Sequence, residues 1–311
     1  MKRKVIQIAD STQLISLPRK WAKKLNIKKG DEIEVVEDND KLIISTRSSA
    51  AKLMRTSLDI TGFEEIIPRL LHSFYKNGFD EVELLFKDPK VISKIQKSLR
   101  DEMIGFEIVE QRPGSCLIKT IAGTNRNEYD SVLRRTFILL KLMFEGIVEA
   151  LEKRDTSQIQ DLKLQEITNN KYTAFCRRVI NKFGIHKDYP ALEYCIIEWL
   201  EKIADQAKYL CSFILESKEN IKINKTTLNL YKRVLKLLNI SYEVYYHFDL
   251  KKAKEGFLER KKIIREALPL FNKSESKRHI HYIVCITQII ADIIGFEYQL
   301  GIKNQKTSNL F

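Results

Sequence analysis

The apolar positions of this chain change period twice along its length. Over residues 1 to about 47 they alternate singly with polar ones. Ile33 and Val35 interleave with Glu32 and Glu34, the pattern of a half-buried strand. Residues 41–46 read as another short strand, joined to the first by the hairpin chemistry of Asp38-Asn39-Asp40. Between the alternating segments, 17–27 has helical spacing: Trp21, Ala22 and Leu25 share one face, and Arg19, Lys20, Lys23 and Lys24 cover the other. Pro18 suits a first helical turn, where a missing N–H costs nothing, and Gly30 provides the turn that follows.

Residues 50 to about 122 predict a small α/β unit. Strand-like runs around 58–60 and over 81–86, 106–111 and 115–121 combine with helical spacing over 63–78 and 91–103. The order strand, helix, strand, helix, strand, strand suggests a split βαβ or ferredoxin-like sandwich. From about residue 125 the period becomes 3.6, with helices expected near 128–153, 156–184, 190–217, 225–248, 250–271 and 275–300. Their breaks are polar or turn-like, so antiparallel bundles are expected, in two sets of three with the boundary near 218–225. The chain therefore reads as multidomain: a small β-rich head over 1–47, an α/β linker domain over 50–122 and an all-α half over 125–302.

Composition adds limits. The 311 residues suffice for two or three domains. Cys116, Cys176, Cys195, Cys211 and Cys285 are scattered without a C-x-x-C pair, which argues against both a disulfide framework and a zinc site. No run of about 18 apolar residues and no signal-peptide core is present, so a cytoplasmic protein without membrane insertion is expected. A head of about 47 residues buries too little apolar surface to stand alone, which predicts an obligate homodimer.

Charge changes the picture more. The formal net charge is +13, which favours an anionic partner, nucleic acid before membrane. In the head the charge is also sorted. Lys2, Arg3, Lys4, Arg19, Lys20, Lys23, Lys24, Lys28 and Lys29 precede Gly30 with Asp10 as the one acid among them, whereas 31–40 holds six acids and no base. A basic helix face is most often merely solvated. Charge alone therefore leaves a solvated face and a nucleic-acid contact about equally open, and any phosphate contacts would supply affinity without base readout.

The small polar residues of Ser11-Thr12-Gln13, the strand into Leu17-Pro18, the short basic helix, Gly30-Asp31 and the alternating strand after it resemble the AbrB/MazE/SpoVT swapped-hairpin DNA-binding family. The resemblance implies two chains interleaving into one small β-barrel. Lys2, Arg3, Lys4, Arg19, Lys20, Lys23 and Lys24 would face DNA, and the acidic strand would sit away from it.

Two stretches of the helical half, 166–184 and 192–210, resemble the first three-helix repeat of PhoU-type phosphate-uptake regulators. A head and body of these two kinds together resemble a group of archaeal PhoU-related regulators. That resemblance implies a DNA-binding regulator of phosphate uptake, partnered by a phosphate transporter or signalling protein. It also implies a surface metal site at the E-x-x-x-D of Glu201 and Asp205. Residues four apart share a helix face, so both carboxylates can address one ion. Glu198 flanks them, and on the preceding helix Glu166, Asn170, Thr173 and Arg177 form a polar stripe that could face the site, with Glu166 as the extra ligand and Asn170 as a weaker one. Oxygen ligation of this kind suits magnesium, manganese or iron; the plainer alternative is a solvated face with Lys202 and Lys208 nearby, since E-x-x-x-D is a common spacing. In the last helix Gln288 stands where the second repeat should carry an acid and only Asp292 is kept, so a second cluster is doubtful. His281, Cys285, Gln288 and Asp292 share one face, expected as a satisfied polar seam in a buried helix.

An enzyme reading is disfavoured: there is no pair of E-x-x-H motifs, no G-x-S-x-G, no phosphate loop and no nucleophilic cysteine with a placed histidine. His186 and His247 read as surface residues near helix ends. The other alternative is a protein-interaction scaffold whose head serves only to dimerise.

Overall fold

A computed structural model describes the chain except for residues 1, 9–11, 39–40, 47–52, 122–125, 185–188, 273–276 and 309–311. His186 and the junctions near 47–50 and 122–125 lie outside the described residues. The described chain forms two compact units, Met1–Leu53 and Met54–Phe311.

The first unit consists of two hairpins and one short helix. Val5–Ile8 (β1) pairs antiparallel with Thr12–Ile15 (β2), and Ile33–Asp38 (β3) with Lys41–Thr46 (β4); Arg19–Lys24 (α1) lies between them in sequence. Gly30, at φ +93°, turns the chain into β3. Asp31 fixes that turn by accepting the Lys28 N–H at 2.7 Å. Both faces of the first hairpin carry apolar side chains, and within this single chain they are uncovered: Val5 is 61% exposed and Ile6 56%.

The second unit starts with a four-stranded sheet. Arg55–Asp59 (β5), Glu81–Leu85 (β6), Phe106–Arg112 (β7) and Ser115–Thr120 (β8) lie in the order β5-β6-β8-β7, with β5 parallel to β6 and the other pairs antiparallel. Ile67–Lys76 (α2) and Val91–Glu102 (α3) connect β5 to β6 and β6 to β7. Because β8 inserts between β6 and β7, this is a split βαβ; the order excludes the ferredoxin-like alternative, in which the strand pairing differs. Alternation does the rest. Val82, Leu84, Cys116 and Ile118 are buried with Leu71 and Tyr75 of α2 and Ile95 and Leu99 of α3, while Glu83 and Leu85 point to the uncovered face.

Six helices complete the unit: Tyr129–Lys153 (α4), Ile159–Phe183 (α5), Pro190–Glu216 (α6), Lys225–Tyr246 (α7), Leu250–Ala267 (α8) and Lys277–Ser308 (α9). Their ends are set locally. Arg154 closes α4 in the left-handed region, Pro190 opens α6, and Asn224 and Asp249 cap α7 and α8 by accepting the Thr227 and Lys251 N–H groups. Helices α4, α5 and α6 pack on one another, as do α7, α8 and α9. The expected pair of separate bundles is nevertheless corrected in one respect. Helix α6 packs along α9 and α4 on α7, and the buried side chains of both triads form one continuous core. The stretch after α6 is equally tied down: Ile221 is buried, and the Asn220 amide donates to the Phe213 carbonyl at 2.6 Å.

Helix α5 also packs on α2 and α3, and Ala174 joins the core of the α/β layer. Lys277–Ile302 is long and apolar enough to cross a membrane by length and composition. Here its Ile280, Ile283, Ile286, Ile290 and Ile293 are buried against the other helices.

Candidate nucleic-acid interface

All seven bases expected to meet DNA are exposed: Lys2, Arg3 and Lys4 on the arm before β1, and Arg19, Lys20, Lys23 and Lys24 on α1. Helix α1 is shorter than the expected 17–27 and amphipathic in part, with Trp21 and Ala22 half-buried and the four bases outward, while Leu25, expected on the buried face, caps the helix and is exposed. None of the seven forms an ion pair with a described residue, so their charge is available to an external anion. Lys23 and Lys24 also occupy the last turn, where cations offset the partial negative charge of the helix end. The acids Asp31, Glu32, Glu34 and Glu37 follow on the turn and on β3. Along the chain the unit thus places a cationic segment before an anionic one.

The acids expected to hold a metal are brought together, but around cations of the chain itself. The α5 stripe does face α6. Thr173 Oγ1 donates to Glu201 at 2.7 Å, and Arg177, 1% exposed at its side chain, pairs with both Glu198 and Glu201. One turn further along, Lys208 bridges Glu166 at 2.7 Å and Asp205 at 3.0 Å, while Asn170 donates to Glu166 instead of offering it a co-ligand. Lys202 lies 3.6 Å from the other Asp205 oxygen. Among the described residues no three acidic, histidine or cysteine side chains converge as a metal centre needs. This donor set does not fit a divalent ion as arranged: a guanidinium and an ammonium occupy the oxygens that would ligate it. Burial pulls the Arg177 pKa below its ordinary value, and the neighbouring Glu198 opposes that shift. For Lys208 the balance runs the other way, its two carboxylate partners raising the pKa against the cost of burial.

In α9, Asp292 and Gln288 are exposed, and His281 and Cys285 stand 3.8 Å apart on the same solvent-facing side. The expected buried seam is therefore an exposed face. The polar groups that α9 does bury went unrecognised in the sequence. Glu297, 1% exposed, accepts from Ser241 at 2.7 Å, and burial pushes its carboxyl well above the usual range. His279 packs between the Tyr231 hydroxyl and the Asn220 carbonyl, with its pKa lowered by burial. On α6, Glu193 accepts from the hydroxyls of Tyr129 and Tyr245 at 3.0 and 2.7 Å. The available signal was position: Glu297 continues the Ile286, Ile290, Ile293 stripe that the rest of α9 buries.

Arg178 was also missed. Its guanidinium is fully buried and donates to the carbonyls of Tyr75 and Phe79, to Asp80 and to Thr120, joining α5 to the α/β layer. Gly78, at φ +86°, allows the close approach: a Cβ there would meet the Lys182 side chain at 3.0 Å.

Among known families, the model described as the antidote-toxin recognition domain MazE of bacterial antitoxins matches residues 6–52. No curated protein and no solved structure matches the chain significantly. The N-terminal unit is thus of MazE/AbrB type, and the match ends before β5.

Proposed function

We propose that this chain is a dimeric, non-enzymatic DNA-binding regulator. The observation that carries the reading is the match over residues 6–52 to a MazE-type unit whose exposed bases have no acid partners among the described residues. The unpaired apolar faces of β1 and β2 support dimerisation, because two such hairpins from two chains can bury them against each other. Phosphate contacts would supply the affinity, and the body would transmit state to the head. The narrower assignment to phosphate uptake rests on the resemblance of the helical segments to PhoU proteins, and a protein partner of the body fits it better than a metal. Binding of the purified chain to mixed-sequence duplexes across a salt series tests the reading. Affinity that falls steeply with salt supports it, and no binding at low salt refutes it in favour of a scaffold. A chromatin pull-down with and without phosphate tests the narrower assignment.

A further inference from the structure

The charge surplus is not confined to the head. Residues 54–311 hold 42 Lys and Arg against 34 Asp and Glu, so eight of the thirteen surplus charges lie outside it. Helix α8 alone carries seven bases and three acids. What distinguishes this helix is where those charges go. All three acids turn to α7: Glu255 pairs with Lys236 at 2.8 Å, and Glu259 and Glu266 pair with Arg233 at 2.6 Å. Of the bases, Lys252 pairs with Glu243 and Arg260 is half-buried. The remaining five, Lys251, Lys254, Lys261, Lys262 and Arg265, are exposed and have no ion-pair partner among the described residues.

At about 100° per residue, these five fall on one face, opposite the buried Ala253, Gly256, Ile263 and Ala267. They extend over roughly 21 Å of helix at 1.5 Å per residue. An ordinary solvated face mixes signs. Here the acids lie along the edge that meets α7 and are paired there, while the five unpaired bases share the face beside them.

We propose that the outer face of α8 is a second contact surface for the phosphate backbone of duplex DNA. The inference rests on the reading that the chain binds DNA and adds a contact surface that the head does not supply. Several lysines strung along a helix suit a polyanion, whereas a single small anion would engage one or two of them. A lipid surface fits less well. A membrane-surface helix inserts its apolar face, and that face of α8 is buried in the bundle, leaving Leu250 and Leu258 as the exposed large apolar side chains of the helix.

The test is anisotropy of the full chain on a 30-base-pair duplex between about 50 and 200 mM salt, since each phosphate contact contributes about 0.9 to the slope of log affinity against log salt. Lys254→Gln, Lys261→Gln and Arg265→Gln together should lower that slope by about 2–3 and weaken binding at least about tenfold at 100 mM. The charge-conserving Lys254→Arg, Lys261→Arg and Arg265→Lys set should preserve both, which separates charge from folding. Unchanged slope and affinity in the Gln variant, with binding still lost on substitution of Arg19 and Lys23, would overturn the proposal and leave the head reading intact. Absence of DNA binding by the unmodified chain would instead sink both. Loss of binding to phosphatidylserine vesicles without a change on DNA would identify a membrane surface and likewise overturn it.

Discussion

Arg177 and Arg178 are neighbours in sequence, and each buries its guanidinium against a different part of the fold. Arg177 pairs with Glu198 and Glu201 of α6, whereas Arg178 reaches Asp80 and the backbone of the α/β layer. Two consecutive positions on α5 therefore close two interfaces. Each draws on the same property, since a planar guanidinium offers five donors in a fixed fork and can satisfy several acceptors at once.

Removing the Arg177 charge should leave two carboxylates crowded without a cation. Arg177→Met is expected to cost about 3–5 kcal/mol, as for other broken buried ion pairs. Manganese should recover part of that loss, because a divalent ion can occupy the vacated position and would bind the folded state alone. Thermal melts with manganese and with EDTA check this. The unmodified protein should melt alike in both, and a wild-type midpoint that rises with manganese would show that the acids bind metal beside the arginine.

Arg178→Lys should cost about 2–4 kcal/mol, since an ammonium on a flexible stem cannot reach two carbonyls, a carboxylate and a hydroxyl together. Hydrogen exchange should report the consequence as faster exchange in β6 and β8, whose buried face shares its core with α5. Protection unchanged in both strands would mean that the apolar contacts hold the layer alone.

Glu297 has a buried oxygen without a hydrogen-bond partner among the described residues. Its carboxyl is raised above an ordinary value of 4.5, so the folded state binds a proton that the unfolded state releases. The stabilisation from this group is complete below pH 4.5 and declines as pH rises toward the raised folded-state pKa, by at most about 1.4 kcal/mol per unit. Glu297→Gln should then stabilise the protein by about 1–3 kcal/mol at pH 7 and flatten that part of its pH dependence. Denaturant melts at pH 5 and pH 7 measure both effects, and a variant less stable than wild type at pH 7 would contradict them.

Dimerisation through the head has a concentration signature. Because Val5, Ile6, Ile8, Leu14 and Ile15 are all about half exposed or more in one chain, the head should unfold at lower temperature as the protein is diluted. Ile6→Asp should shift the protein toward monomer in analytical ultracentrifugation and weaken DNA binding without altering melting of the helical core. A head transition independent of concentration would rule out the interleaved dimer.

The chain's local order was legible in its sequence. Alternation marked the strand after Gly30, the 3.6-residue period marked the six long helices, with the last running eight residues past its expected end, and Leu17-Pro18 with Gly30-Asp31 marked the MazE-type unit. These signals depend on neighbours in the chain, which sequence displays directly. Even the α5 stripe from Glu166 to Arg177 was visible as a face. What it would meet was not. Spacing places Glu201 and Asp205 on one side of a helix, but only the packing of α5 against α6 decided that Arg177 and Lys208 would fill the space between carboxylates that an ion would otherwise occupy. In the same way, composition reported a charge surplus for α8, and only the approach of Arg233 and Lys236 from α7 paired its acids and left five of its bases without an ion-pair partner among the described residues. A periodic pattern defines which side chains travel together; the partner across the interface comes from another part of the chain, and its charge settles what those side chains can bind.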